Sequence, residues 1–155
     1  MSDNVEFEIS MAAQWWRDPP KVNIYIDNTL VDFEVFVDAS KDKDETKVFK
    51  FNKELEEGEH SIVVEYLNKT NADTVIDEEG NILKDQLLFI ENVSIDDIEL
   101  GNVVRKCSAF YPTAERLASL DWLNPELKGQ IVSGHPGKWI LKFSTPTYLW
   151  LLENL

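Results

Sequence analysis

The chain has one cysteine and two histidines in 155 residues. The lone Cys107 excludes an intrachain disulfide framework and any multi-cysteine metal site. Basic residues are also scarce, 15 Lys and Arg against 29 Asp and Glu, for a formal net charge of −14. Phosphate backbones are gripped by clustered Lys and Arg, so this balance argues against a nucleic-acid partner. It equally disfavours an anionic membrane surface. No apolar run approaches the roughly 18 residues of a membrane span. Residues 1–4 carry neither the basic start nor the apolar core of a secretory signal, so synthesis in the cytoplasm without export is expected. The residues present include eight Phe and five Trp in a chain that is 43% apolar. That is too much apolar surface for a disordered acidic tail, and the length suits one domain with its own core.

The dominant pattern has period two. Val5, Phe7, Ile9 and Met11 alternate with Glu6, Glu8 and Ser10, as expected of a strand whose successive side chains face opposite ways. Val22, Ile24 and Ile26 repeat the pattern, Asp27-Asn28 supplies a turn, and Leu30, Phe33, Val35 and Val37 return. Residues 38–45 are a charged loop. Phe49 and Phe51 mark another strand, as do Ile62, Val64 and Tyr66. A second hairpin is expected over 74–83, turning at 77–81, followed by a longer strand over 87–95. Short strands separated by polar turns predict an all-β fold, an antiparallel β-sandwich of jelly-roll or carbohydrate-binding-module type. We assign the sandwich to residues 1–111. Residues 112–155 form an irregular, partly helical extension packed on it. The extension holds a short helix capped by Thr113, a final strand carrying Trp139, Leu141 and Phe143, and a terminal helix with Thr145 as N-cap and Pro146 at its first position.

No catalytic constellation is legible, so the chain reads as a non-enzyme. His60 and His135 neighbour Ser61 and Ser133 in sequence, but neither serine sits in a nucleophile elbow. Cys107 reads as a structural thiol. Residues 68–85 are dense in oxygen donors of the kind calcium takes. They lack EF-hand spacing, and Asn68, Asp73 and Asp85 are the candidate ligands. Trp15 and Trp16 are adjacent, so on a strand they cannot both enter one core. Three readings stay open for them: a cover over the sandwich end, a protein interface, or a platform for sugar rings.

Two resemblances follow from particular residues. The segment 6–100, with Pro20 to Asp27 and then Gly58-Glu59-His60-Ser61-Ile62-Val63-Val64-Glu65-Tyr66, resembles calcium-dependent xylan-binding carbohydrate-binding modules. Asn68 matches that family's loop Asn, and Asp85-Gln86-Leu87-Leu88 its Asp-bearing strand. Lys69 stands where the family has Asp, and the loop glycines are absent. This resemblance implies a calcium-assisted glycan site in which Trp15, Trp16 and Tyr66 would meet the sugar. The second resemblance covers nearly the whole chain: Gly58-Glu59-His60, Asn68-Lys69-Thr70, Asp73-Thr74-Val75, Asp85, Gly137-Lys138-Trp139, Pro146 and Trp150-Leu151-Leu152. The chain here is similar to small uncharacterised proteins of T4-like marine bacteriophages, the cyanophages. It implies synthesis in a host cytoplasm and incorporation into a virion as a tail, fibre or capsid-surface component. The expected function is therefore a non-enzymatic recognition or structural module, with the calcium-assisted carbohydrate-binding module as the alternative. Protein partners or self-assembly would engage the aromatic tail, including Trp139 and Trp150.

Overall fold

A computed structural model describes residues 2–155. Thirteen strands and three α-helices are distinguishable among them. The chain enters through β1 (Ser2–Gln14), whose Val5, Phe7 and Ile9 are buried while Glu6 is exposed. A bulge between Ser10 and Met11 shifts its register against β8 (Leu87–Ile95), and beyond it Met11, Ala12 and Ala13 are all buried. β2 (Lys21–Ile26) and β3 (Thr29–Phe36) form the expected hairpin, with Asp27 in the left-handed region at its turn. β4 (Lys47–Glu56) and β5 (Gly58–Tyr66) are consecutive in sequence but belong to different sheets. β6 (Val75–Ile76) and β7 (Ile82–Lys84) make a small separate hairpin.

After β8 come β9 (Ile98–Glu99), α1 (Val103–Lys106), β10 (Ser108–Pro112), α2 (Ala114–Ser119), β11 (Leu127–Lys128), β12 (Val132–Ser133), β13 (Gly137–Thr145) and α3 (Thr147–Asn154). One main sheet runs β12-β8-β1-β4, with β9 on β8; the other runs β11-β10-β13-β5-β2-β3. All of these strand pairings are antiparallel. The fold is thus an all-β sandwich. Its apolar faces meet in one core that includes Phe7, Ile9, Ile24, Ile62, Leu141 and Phe143. Phe7 of one sheet meets Phe143 of the other edge to face, with ring centroids 5.8 Å apart.

Two expectations about the last third of the chain need correction. The proposed boundary after residue 111 cuts through the sandwich, because β13 lies between β10 and β5 inside the six-stranded sheet. Its alternating Trp139, Leu141 and Phe143 are central core residues, so the segment is integral to the sheet. Gly137 opens β13 where the strand meets β10 very closely; a Cβ there would sit 2.3 Å from the Tyr111 carbonyl oxygen. Pro146 is the N-cap of α3, and its first helical residue is Thr147. Thr113 caps α2 as expected, its Oγ1 accepting from the Arg116 amide at 3.2 Å.

Candidate functional site

Alternation along β5, β10 and β13 leaves Ser61, Ala109, Tyr111, Ile140, Lys142 and Ser144 on the face of the sheet turned away from the core. The register sets Lys142 opposite Ser61 and Ile140 between Val63 and Ala109. β11 then adds Lys128 beside Ala109. Together with Asp27, Glu59, Lys106, Glu126 and Asn154, these side chains line an open cleft of about 740 Å³, a size typical of ligand sites. Tyr111 donates its hydroxyl to Glu126 Oε2 at 3.0 Å, which fixes the ring in the lining. Burial and the neighbouring carboxylate hold that hydroxyl above its usual range. Lys106 Nζ donates to the Asn154 carbonyl at 2.9 Å, tying α1 to the end of α3. Burial pushes the adjacent Cys107 thiol up, so it stays protonated at neutral pH.

At the rim of this cleft His60 is held at both ring nitrogens. Nδ1 is 2.9 Å from Asp27 Oδ2, and Nε2 is 2.6 Å from the Glu56 carbonyl oxygen. Both partners are acceptors, so the ring satisfies them only as a doubly protonated imidazolium. Desolvation opposes the charge, but the Glu56 carbonyl and the Asp27 carboxylate outweigh it and raise the His60 pKa above its ordinary value of 6.5. Asp27 Oδ1 also accepts from the Ser61 amide at 2.9 Å, fastening the β2–β3 turn to β5. With both nitrogens engaged in this way, neither is turned into the cleft.

The oxygen-rich segment over 68–85 does not form the expected calcium site. Asn68 pins the chain across the sandwich end, its Oδ1 accepting from the Lys21 amide at 2.8 Å and its Nδ2 donating to the Pro19 carbonyl at 3.0 Å. Asp73 is buried and closes a capping box with Thr70, accepting from its amide at 2.8 Å and its hydroxyl at 3.1 Å. Its other oxygen lies 3.5 Å from Arg17 Nε. Asp85 accepts from Lys69 Nζ, from Thr74 Oγ1 and from the Gln86 amide. The donors thus serve an internal ammonium, a guanidinium and backbone amides. Among the described residues no three or more His, Cys, Asp or Glu group as metal ligands.

The aromatic candidates part company. Tyr66 is 1% exposed and donates its hydroxyl to Gln86 Oε1 at 2.5 Å, so no sugar ring can reach it. Trp139 is wholly inside, and Trp150 packs edge-on to Phe143 with centroids 6.2 Å apart. Trp139 is closed to a partner because it fills the space between the sheets, whereas Trp150, 8% exposed, stands in the wall of the cleft. Trp15 packs against the core. Trp16 alone keeps substantial exposure, at 42%; its indole N–H donates to the Asp73 carbonyl at 2.8 Å. The Lys84 ammonium stands 4.8 Å from its ring centroid. The tail does present apolar side chains, but they are Tyr148, Leu149 and Leu152 on α3 and Leu155 just beyond it.

Several residues escaped the sequence reading. Trp122 is 70% exposed and meets the His135 ring edge-on at 6.3 Å. Arg116 Nε donates to His135 Nδ1 at 2.9 Å. Burial first, then the Arg116 and Lys69 charges, lower the His135 pKa and keep the ring neutral. Lys142 could have been read as outward-facing from the alternation around Leu141 and Phe143. Its association with Lys106, Lys128 and Tyr111 has no sequence signal, since three separate strands and a helix end bring them together. Compared with family models, curated proteins and solved structures, the chain matches none of them. No helix among the described residues is long and apolar enough to cross a membrane.

Proposed function

We propose that the protein is a non-enzymatic recognition module that binds a saccharide in the cleft on the outer face of its six-stranded sheet. The observation that carries this reading is the lining itself. A fixed tyrosine ring, serine hydroxyls, the Asn154 amide and paired and unpaired charges share one open depression of about 740 Å³. Sugars are bound by such mixtures, with flat aromatic faces for C–H surfaces and polar groups for hydroxyls. The absence of catalytic work is supported by the state of the reactive side chains. His60 has both ring nitrogens held against acceptors and its pKa raised, His135 gives its Nδ1 lone pair to Arg116, and Cys107 is held as a thiol. Calcium has no part in this reading, because Lys69 and Arg17 already engage the carboxylates proposed for it.

A glycan array probed with wild type, Tyr111→Ala and Trp16→Ala tests the proposal. Binding that is lost with Tyr111→Ala and kept with Trp16→Ala is the expected result. Absence of binding to every saccharide would end it.

The exposed apolar residues of α3 favour a second role, attachment to a larger protein assembly such as a virion. Tyr148, Leu149 and Leu152 are exposed on a helix anchored by Trp150, and Leu155 follows its end; contiguous exposed apolar side chains commonly mark contacts. A Leu149→Glu, Leu152→Glu double variant should fold normally yet be missing from purified particles. Normal incorporation would remove this role.

A further inference from the structure

We propose that the ligand of the cleft is an acidic saccharide whose carboxylate or sulfate group is taken by Lys142, with Lys106 and Lys128 in the same lining. The inference rests on the saccharide reading of the cleft and adds the charge of the ligand.

Of the 29 acidic residues, 25 precede Gly101, whereas residues 101–155 hold six basic and four acidic residues. Most of the cleft is built from that later segment. In the cleft itself Lys106, Lys128, Lys142 and the His60 ring face Asp27, Glu59 and Glu126, so the lining is close to charge balance in a strongly acidic molecule.

The ionisable groups of the lining are unequally satisfied. Asp27 is bound by the His60 imidazolium and the Ser61 amide. Glu126 accepts from Tyr111 and lies 3.6 Å from Lys128 Nζ. Lys106 donates to a neutral carbonyl, which leaves its charge uncompensated. Lys142 has no carboxylate within ion-pair distance among the described residues, although Glu59 and Ser61 are on the adjacent strand. Among the described residues, Glu59 is the acid of the lining left unengaged. An anionic group arriving here meets the Lys142 ammonium, which has no carboxylate partner among the described residues, and forms charge-assisted hydrogen bonds with it. A neutral sugar makes only ordinary ones.

The acidic remainder of the surface sharpens the preference. It repels anions elsewhere, so the cleft is the region to which an anionic ligand is directed. At physiological salt this repulsion fades beyond about 8 Å, so it does not prevent close approach to Lys142.

Isothermal titration calorimetry with three hexasaccharides tests the inference: a polygalacturonate fragment, a sulfated galactan fragment and its neutral galactan counterpart. Wild type, Lys142→Ala and Lys128→Ala are compared at low and physiological salt, with melting curves to show that the exposed substitutions leave the fold intact. The expected result is that at least one acidic hexamer binds ten-fold or more tightly than the neutral one. Lys142→Ala should erase most of that difference, and added salt should weaken the acidic ligand alone. The uronate and sulfate arms identify which anionic group is taken. Equal binding of the neutral hexamer, or acidic binding indifferent to Lys142→Ala, overturns the inference while leaving the saccharide reading in place. No binding by any of the three overturns the inference, and the glycan array then decides the saccharide reading separately.

Discussion

The Lys69 ammonium lies against the Asp85 carboxylate with 1% of the lysine side chain and 12% of the aspartate side chain exposed. The same ammonium donates to the Gln86 carbonyl at 2.8 Å, and Thr74 Oγ1 approaches the same Asp85 oxygen from another loop. A protein cation thus organises the end of the sandwich where oxygen donors in the sequence suggested a metal.

Breaking this pair from one side should be costly. Lys69→Met leaves Asp85 with a desolvated charge and no cation, so urea denaturation should show a loss of roughly 3–5 kcal/mol. Lys69→Met combined with Asp85→Leu should recover much of it. A single variant as stable as wild type would show that water, not Lys69, compensates Asp85. Millimolar calcium or a chelator should leave the wild-type melting temperature unchanged.

The two histidines impose opposite pH limits. His60 has a raised pKa in the folded state, so its contribution is complete below its ordinary 6.5 and is lost as pH rises through the folded value. His135 has a lowered one, so the unfolded chain takes up a proton first and stability falls as pH drops below 6.5. Melting temperature against pH should flatten on the alkaline side in His60→Gln and lose part of its acid-side slope in His135→Gln. Unaltered profiles in both variants would remove the imidazolium clamp and the neutral His135 together.

Trp150 belongs to the core, and the α3 residues around it do not. Trp150→Ala should cost about 3–5 kcal/mol by opening a cavity beside Phe143. Leu152→Glu, on the exposed side, should change stability by no more than about 0.5 kcal/mol. Chemical denaturation of the two variants separates these roles. Removing everything after Ser144 should therefore unfold the protein instead of releasing a detachable arm.

Gly137 is fixed by proximity. Besides the Tyr111 carbonyl oxygen at 2.3 Å, a Cβ would meet Pro112 Cα at 2.7 Å and Phe110 Cε1 at 2.9 Å. Two of these are backbone atoms of the neighbouring strand, which cannot move without opening the β10–β13 ladder. Gly137→Ala should lose about 3 kcal/mol or more, measured by urea denaturation. A variant within experimental error of wild type would show that β13 can shift to make room.

Local chemistry in the sequence carried the strands far. Alternation over Val5 to Met11, the Asp27-Asn28 turn, the second hairpin and the Thr113 cap all depend on neighbours two to four residues apart, and each is legible without the fold. Partner choice between strands is different in kind. Nothing near residue 140 says that β13 inserts between β10 and β5, or that β4 and β5 part to opposite sheets, because burial of their apolar faces is satisfied only by distant segments.

The same division holds for function. Composition alone fixed the acidic charge, the absence of a disulfide framework and the supply of aromatics. Tertiary structure decided which of those aromatics reach water: it buried Tyr66, Trp139 and Trp150 and exposed Trp16 and Trp122. It also gathered Lys106, Lys128 and Lys142 from separate elements into one cleft. Exposure and charge proximity are properties of the packed surface, and strands far apart in the chain create that surface together.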